Sequence, residues 1–353
     1  MNIHIMPVDR KFTSKFIDFI NKQYGLDKNF FYLYDYGDEC EIDNSENVKN
    51  ITHLSNEIDL SKICSESDKI VVHGLLSSCI INFMYYNMER IDYERVILVL
   101  WGGDIYNNNL TEKCLSEKEK KIEEMKYVVL NKIKLFMTFA CADYEYMKKM
   151  YGVSGNQYDC LYPSSVNIDF LNKLEKTDKE KTVIQLGNSA TFTNQHIEAL
   201  EMLSKFKDEN IEIICPLSYG DAEYRDKVIC YGEKIFGKKF VPIINFMKPE
   251  QYVRMLNEVD IAIFNNNRQQ ATANIEIMSY LGKKIYIRED NSLWLHYVER
   301  DKCAFSNVEM IKEQSFKEFV EISQKNIDVN KKYFEKIWSE EHIKQLWDNV
   351  LYK

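Results

Sequence analysis

Glycine and proline are scarce, 12 and 5 among 353 residues, which excludes a collagen-like or linker-rich chain. No Gly-x-Gly-x-x-Gly and no Gly-x4-Gly-Lys-Ser/Thr occurs, so the dinucleotide fingerprint and the P-loop are both missing. Nor is there an Asp-x-Asp pair of the kind a metal-dependent nucleotide-sugar transferase often carries. A Mg²⁺ site wants convergent carboxylates, and none cluster in the loops discussed below. The nine cysteines form no Cys-x-x-Cys and no Cys/His quartet at zinc spacing. Cys64, Cys79, Cys141 and Cys215 lie in or beside apolar segments and read as reduced, buried, cytosolic thiols. The start, Met1-Asn-Ile-His-Ile-Met-Pro7, lacks the basic region and apolar core of a signal peptide. No apolar run approaches the ~20 residues of a membrane span. A cytoplasmic location is therefore expected. Basic residues are not in excess either: the net charge of −9 argues against a general nucleic-acid binder.

What the chain does have is a rhythm. Strand-like runs at 2–6, 30–34, 69–73, 95–101 and 135–141 alternate with helix-like stretches at 13–23, 75–87, 117–132 and 142–150. After Pro163 and a polar stretch from Asn172 to Lys181 the rhythm resumes. Strands are expected there at 182–186, 211–217, 240–246, 261–264 and 284–288. Helices are expected at 195–206, 222–236, 249–258, 273–281 and 293–299, with one long helical stretch from about 330 to 351. Such alternation is the pattern of parallel α/β sheets. Two sets predict two Rossmann-like domains facing a central cleft, over 1–165 and 180–325, with a helical segment at 326–353. Ligands of such sheets bind beyond the carboxyl ends of the strands.

Two loops of the second half fall at such ends. Phe264-Asn-Asn-Asn-Arg-Gln-Gln-Ala-Thr-Ala-Asn-Ile275 runs from a strand onto a helix start and carries a fixed cation, Arg268. Free N–H groups and a helix dipole make this a natural phosphate site, and a guanidinium suits it further. An Asn-rich connection with a solvated Arg is the blander reading. Leu186-Gly-Asn-Ser-Ala-Thr-Phe-Thr-Asn-Gln-His196 holds the equivalent place. Gly187 permits a tight turn or close ligand approach. Asn188, Ser189, Thr191, Thr193 and Asn194 supply donors; helix capping explains one or two of them, not five.

In the first half, Val71-Val-His73-Gly74-Leu75 and Leu98-Val-Leu-Trp101-Gly102-Gly103-Asp104 end strands. The His73 imidazole is placed to face a cleft, or to be a satisfied structural residue. Trp101 offers a face on which sugars pack. Asp104 reads equally as proton acceptor for an attacking hydroxyl or as a turn cap. Asp9 is a weaker candidate of the same geometry.

These motifs, together with Asn194 and His196, Pro216 with Tyr219, and Arg268-Gln269-Gln270, resemble the bacterial TDP-N-acetylfucosamine:lipid II N-acetylfucosaminyltransferases, the 4-alpha-L-fucosyltransferases of glycosyltransferase family 56. Their shared order covers most of the chain. The resemblance implies a GT-B fold, an N-terminal acceptor domain and a C-terminal nucleotide-sugar domain. It implies transfer of an amino-deoxy sugar from a nucleoside diphosphate donor, TDP-linked, to a polyprenyl-diphosphate-linked glycan. The sequence departs from the family at Ala271-Thr-Ala-Asn274, where a Gly-x-Gly-Thr stands in the family.

The expected site is therefore Asp104 or His73 for acceptor chemistry, beside Gly74 and Trp101. On the donor side Gly187, Asn188, Ser189 and Asn194 approach the sugar nucleotide, Tyr219 walls its pocket, and Arg268, Gln269 and Gln270 hold the diphosphate. No metal and no cofactor is called for. A lipid-linked acceptor must be met at the bilayer surface, and the helix 117–134 carries Lys118, Lys120, Lys121, Lys126, Lys132 and Lys134. Peripheral contact with anionic headgroups through this helix is one reading, a solvated helix balanced by its glutamates the simpler one. A nucleotide-sugar epimerase or hydrolase, or a non-catalytic sugar-binding protein, are the alternative functions.

Overall fold

The computed structural model describes residues 1–9, 12–34, 45–51, 59–106, 115–163, 166–175 and 177–352. The chain divides into two compact units, Met1–Ser165 with Trp338–Lys353, and Val166–Ile337.

Among the described residues the first unit is built on seven strands: β1 (Asn2–Pro7), β2 (Asn29–Tyr34), β3 (Val48–Asn50), β4 (Lys69–His73), β5 (Val96–Val99), β6 (Leu135–Thr138) and β7 (Asn156–Asp159). All pair in parallel, in the order β3-β2-β1-β4-β5-β6-β7. Its helices are α1 (Thr13–Tyr24), α2 (Leu60–Glu66), α3 (Ser78–Tyr86), α4 (Gly103–Tyr106), α5 (Glu117–Lys132) and α6 (Cys141–Tyr151). Strand residues alternate between two apolar layers, since helices cover both faces of a parallel sheet. Ile3, Ile5, Ile70, Val72 and Leu98 pack toward α3 and α5. Met6, Val71, Ile97 and Val99 pack on the other face with Phe16 and Ile20 of α1.

The second unit has six parallel strands: β8 (Thr182–Leu186), β9 (Ile211–Pro216), β10 (Phe240–Ile243), β11 (Ile261–Phe264), β12 (Lys284–Ile287) and β13 (Ser306–Asn307). Their order is β10-β9-β8-β11-β12-β13. Around them lie α7 (Ile168–Asn172), α8 (His196–Leu203), α9 (Ala222–Phe236), α10 (Pro249–Glu258), α11 (Thr272–Tyr280), α12 (Phe316–Val320) and α13 (Gln324–Ile337). The expected helix at 293–299 is a π-helical stretch, Trp294–Arg300.

The stretch 326–353, expected as one helical segment, is split between the units. The helix breaks at Trp338-Ser339, where the Ser339 hydroxyl accepts the His342 N–H and starts α14 (Glu340–Leu351). Ile343, Trp347, Val350 and Leu351 of α14 then bury themselves against the α1 face of the first sheet.

In both sheets the strand order reverses once, between β1 and β4 and between β8 and β11. Such a switch point is where an open α/β sheet leaves a crevice for a ligand. The loops after these four strands carry Asp9, His73-Gly74, Gly187-Asn-Ser189 and Arg268-Gln-Gln270. Every sequence candidate except Trp101, Asp104 and Tyr219 thus follows a switch-point strand, and those three follow the strands next to it.

Candidate functional site

At the carboxyl edge of the second sheet, one side chain ties the two donor loops together. Gln270 Nε2 donates to Asn188 Oδ1 (2.9 Å) and Ser189 Oγ (3.2 Å), while its Oε1 accepts from Thr193 Oγ1 (2.7 Å). Asn194, fully buried, accepts the Asn188 N–H at 3.1 Å and the Asn266 amide at 3.1 Å through the same oxygen. The Asn267 N–H donates to the Thr193 carbonyl, adding a backbone link. Asn188 Nδ2 reaches the Tyr219 hydroxyl at 3.1 Å, and Tyr219 otherwise stands 54% exposed. Asn188, Ser189, Asn194, Tyr219 and Gln270 therefore form one network. Gln269 lends its carbonyl to the Arg268 guanidinium (3.2 Å).

Two features prepare this network for an anion. Helix α11 begins at Ala271 with no side-chain cap, and α8 begins at Gln195 likewise. The first-turn N–H groups of α11 are left for another acceptor, at the positive end of a helix dipole, whereas the His196 N–H that opens α8 donates to the Tyr224 hydroxyl at 3.2 Å. Both cap residues are left-handed, Ala271 at φ 65 and Gln195 at φ 49. That conformation favours glycine, and Ala271 is the position where the family pattern has one.

Gly187 has φ 65, and a Cβ there would stand 2.4 Å from His196 Nε2 and 2.9 Å from Asn194 Oδ1. His196 itself is buried, with Nδ1 3.2 Å from the Tyr224 hydroxyl and Nε2 without a protein partner. Asn266 and Asn291 belong to the same scaffold: Asn291 Nδ2 donates to the Asn266 and Arg268 carbonyls, both at 2.7 Å. Neither was singled out by sequence reasoning. The triple asparagine was the available signal for Asn266, and Asn291 offered none.

In the first sheet, Asp104 clasps two turns. Both carboxylate oxygens accept the Trp101 N–H at 3.2 Å, and Oδ2 accepts the Leu75 N–H at 3.4 Å. Lys126 Nζ donates to the Asp104 carbonyl at 2.9 Å. The carboxyl is buried, and that burial pushes its pKa up against the pull of the Trp101 N–H. Gly74, at φ 79, lies under the Trp101 indole, and a Cβ there would stand 3.0 Å from Leu76 and 3.5 Å from Trp101. Of the two readings of Asp104, the geometry is that of the turn cap.

His73 has no exposed surface. Its Nε2 lies 3.1 Å from His4 Nδ1, and its Nδ1 contacts the Tyr162 hydroxyl. Phe16 and Trp347 enclose it, with ring centroids at 5.0 and 6.0 Å. Of the readings open for His73, this is the satisfied structural one. Tyr162 was not singled out from sequence, because a tyrosine after Pro-poor coil carries no spacing signal. Its hydroxyl meets His73 Nδ1 and receives the Trp101 indole N–H at 3.0 Å. Trp101 is the half-buried member of this group.

Burial also sets the charge states. Desolvation lowers His4 to about 4 and His196 to about 3, and with His4 beside it holds His73 well below the usual range. All three are neutral at pH 7. An unfolded chain binds protons at these histidines near pH 6.5, whereas the folded chain takes them up only well below that. Stability is thus full above pH 6.5 and falls as the pH drops toward 4. The expected slope is about 1.4 kcal/mol per pH unit for each histidine. Urea midpoints measured from pH 7.5 to 5 should decrease steadily; a flat profile would show that these rings accept protons in the folded state.

The expected basic helix α5 keeps its bounds, but its lysines divide. Lys118, Lys120, Lys121 and Lys132 are exposed, whereas Lys126 is buried against Asp104 and pairs with Glu123 at 2.7 Å. Met125, Val129 and Ile133 lie in the core, so the apolar stripe faces protein. Among the described residues no helix is long and apolar enough to cross a membrane.

Comparisons with known proteins bear on the fold and the family. A glycosyltransferase from Rickettsia africae ESF-5 superposes with a TM-score of 0.66 at 12% identity, covering 100% of this chain and 99% of that one. WaaG, a glycosyltransferase involved in lipopolysaccharide biosynthesis, gives 0.60 at 10% identity, with coverage of 99% and 98%. A trehalose-6-phosphate protein from E. coli, bound with UDP-2-fluoro glucose, gives 0.64 at 8% identity, with coverage of 100% and 99%. At such identities these similarities establish the fold, which is GT-B. The family model for 4-alpha-L-fucosyltransferase, glycosyl transferase group 56, matches residues 41–351. With two parallel sheets, two switch points and that match over most of its length, the chain is a glycosyltransferase and belongs to the 4-alpha-L-fucosyltransferase family, group 56.

Proposed function

We propose that the enzyme moves a fucosamine-like amino-deoxy sugar from a nucleoside diphosphate sugar, TDP-linked, to a polyprenyl-diphosphate-linked or other surface glycan, without a metal. The observation that carries this reading is the Gln270 bridge, which holds two donor-rich loops at one switch point beside the uncapped start of α11. A diphosphate laid there would meet the first-turn N–H groups of α11 and the Arg268 guanidinium. Gly187, Asn188 and Ser189 would approach the sugar, and exposed Tyr219 would wall the nucleotide. That a protein of the same fold is bound with UDP-2-fluoro glucose supports a sugar nucleotide here.

In transfer, the acceptor hydroxyl oxygen bonds to the anomeric carbon and releases its proton to water or a carboxylate, as the bond to the diphosphate oxygen breaks and the diphosphate leaves with the electron pair. Fixed donors around the departing diphosphate are worth most at that moment, because they need no reorganisation as charge develops. Trp101 would carry the acceptor on its exposed face. Asp104 and His73 act in this reading by holding the Trp101 and Gly74 turns, since both are sealed from solvent. Asp9, half-buried after β1, is the more open carboxylate of this edge.

A thermal-shift screen of TDP, UDP and GDP in the presence of EDTA tests the donor site. A nucleotide at 100 times its dissociation constant should stabilise the protein by about 2.7 kcal/mol. Arg268→Ala should weaken that binding by about 1.5–3 kcal/mol, the worth of a charge-assisted hydrogen bond. Undiminished affinity in the folded variant would remove this loop from the site.

A lipid-linked acceptor would bring the enzyme to an anionic surface, and Lys118, Lys120 and Lys121 are the exposed lysines at the start of α5. The protein should pellet in part with anionic liposomes at low salt and release as salt rises, each lysine near the surface contributing about 1 kcal/mol. Glu at these three positions should abolish pelleting and leave nucleotide affinity unchanged; equal pelleting would make α5 a solvated helix only.

A further inference from the structure

A line of polar groups crosses the otherwise apolar α1 face of the first unit. It starts at the half-buried Trp101 indole and runs through Tyr162, His73 and His4 to Asn29 at the start of β2. The contacts are Trp101 Nε1 to the Tyr162 hydroxyl (3.0 Å), that hydroxyl to His73 Nδ1, His73 Nε2 to His4 Nδ1 (3.1 Å), and His4 Nε2 to Asn29 Oδ1 (3.4 Å). His4, His73 and Asn29 have no exposed surface, and Tyr162 has 6%.

The direction of this chain is set from the Asn29 end. An indole N–H can only donate, so the Tyr162 oxygen accepts it. At the other end the Asn29 amide nitrogen is taken by the Tyr352 hydroxyl at 3.0 Å, and Asn29 Oδ1 also receives the Asn2 amide at 3.2 Å. Asn29 therefore presents an acceptor to His4, which must carry its proton on Nε2. His4 Nδ1 then accepts from His73 Nε2–H. That leaves His73 Nδ1 as an acceptor for the Tyr162 O–H. Each member donates once along the line, and none is charged.

We propose that this one-way relay sets the orientation of the Trp101 indole, so that Tyr162 is a positioning residue for the acceptor, acting through Trp101. The proposal rests on the reading of Trp101 as the acceptor platform. The physical reason is the asymmetry of buried hydrogen bonds: one removed member strands the partners on each side. A free indole on a sheet edge would sample several rotamers, and here Phe12 packs edge-on at 5.5 Å while the N–H is tethered. The relay also accounts for two buried histidines that exchange no proton with the site. Trp347 of α14, anchored by its own indole N–H on the Leu161 carbonyl at 3.0 Å, stacks on His73 and closes the cage.

The test joins spectra of the whole enzyme with kinetics. In histidine-¹⁵N-labelled protein, His4 and His73 should each show a protonated Nε2 and a bare Nδ1 at pH 7. A proton on His73 Nδ1, or a charged ring, overturns the relay without any variant. Tyr162→Phe should broaden or split the Trp101 signal of 5-fluorotryptophan-labelled enzyme, assigned with Trp101→Phe. It should raise the KM for acceptor about ten-fold, the effect of one lost hydrogen bond, with nucleotide affinity unchanged. Adding Tyr162→Phe to Trp101→Phe should change acceptor KM no further. Unchanged acceptor KM in Tyr162→Phe, or additive effects in the double variant, overturns the positioning role while leaving the donor site standing. Unchanged acceptor KM in Trp101→Phe overturns it through its premise. Lost nucleotide affinity in Tyr162→Phe overturns it as a local effect.

Discussion

Gly187→Ala is expected to cost the second unit about 2–4 kcal/mol and to abolish nucleotide binding. The first part of the cost is conformational, since φ 65 is a region L side chains rarely adopt. The second is steric, because the new Cβ would stand 2.4 Å from His196 Nε2 and 2.9 Å from Asn194 Oδ1. Neither neighbour can retreat cheaply. His196 is buried and held by Tyr224, and Asn194 anchors the Asn188 N–H and Asn266 at once. A shift in Asn194 is therefore a shift in both loops that the Gln270 bridge joins. Gly237→Ala is the control: φ is 55 there, and nothing stands within 4 Å of the added carbon. Denaturant midpoints should separate the two variants, with Gly237→Ala losing only the conformational part and keeping nucleotide affinity. Equal midpoints would mean that the Gly187 loop adapts and that the network is looser than its distances imply.

Asp104→Asn is expected to reduce transfer about 10²-fold through misplacement of the Trp101 turn while sparing nucleotide affinity, and to lower stability by about 1–3 kcal/mol. The amide replaces one carboxylate oxygen by an N–H group facing the Trp101 and Leu75 N–H donors. Two turns then lose their common clasp, and the Trp101 platform moves with them. The paired losses are the signature of a residue that holds the turns. A group that only accepted the acceptor's proton would lose turnover with its melting temperature intact. Asp9→Asn made beside it reads the carboxylate that is more open at the same edge.

The alternation of apolar runs and amphipathic stretches made the α/β class legible, because strands covered on both faces read as short apolar blocks. Ile261–Phe264 and Thr182–Leu186 are such blocks, and both strands keep those bounds. Edge strands were not legible. β3 and β7, with sequences Val-Lys-Asn and Asn-Gln-Tyr-Asp, are polar, and among the described residues one of their sides faces no partner strand. The split near 338 was missed because apolar residues keep helical spacing on both sides of Ser339, and only the cap interrupts them.

The donor loops were legible because loops at strand ends carried more polar side chains than capping requires. How those side chains join, through Gln270 and Asn194, was not, since partners up to 82 positions apart leave no local pattern. His73 and Asp104 were visible as placements at strand ends, but the burial of His73 depends on Tyr162 and on Trp347 from the far end of the chain. Lys126 shows the same limit. It reads as one lysine of a surface row, yet the helix turns it inward to the Asp104 carbonyl.

Transfer itself is the most direct test. The enzyme is incubated with a TDP-linked amino-deoxy sugar and a polyprenyl-diphosphate-linked glycan, with EDTA present, and both substrates are followed by mass spectrometry. The account predicts that the lipid-linked glycan gains one sugar residue as free TDP appears, and that Arg268→Ala slows both together. A glycan of unchanged mass, with the donor epimerised or hydrolysed to free sugar, would contradict it.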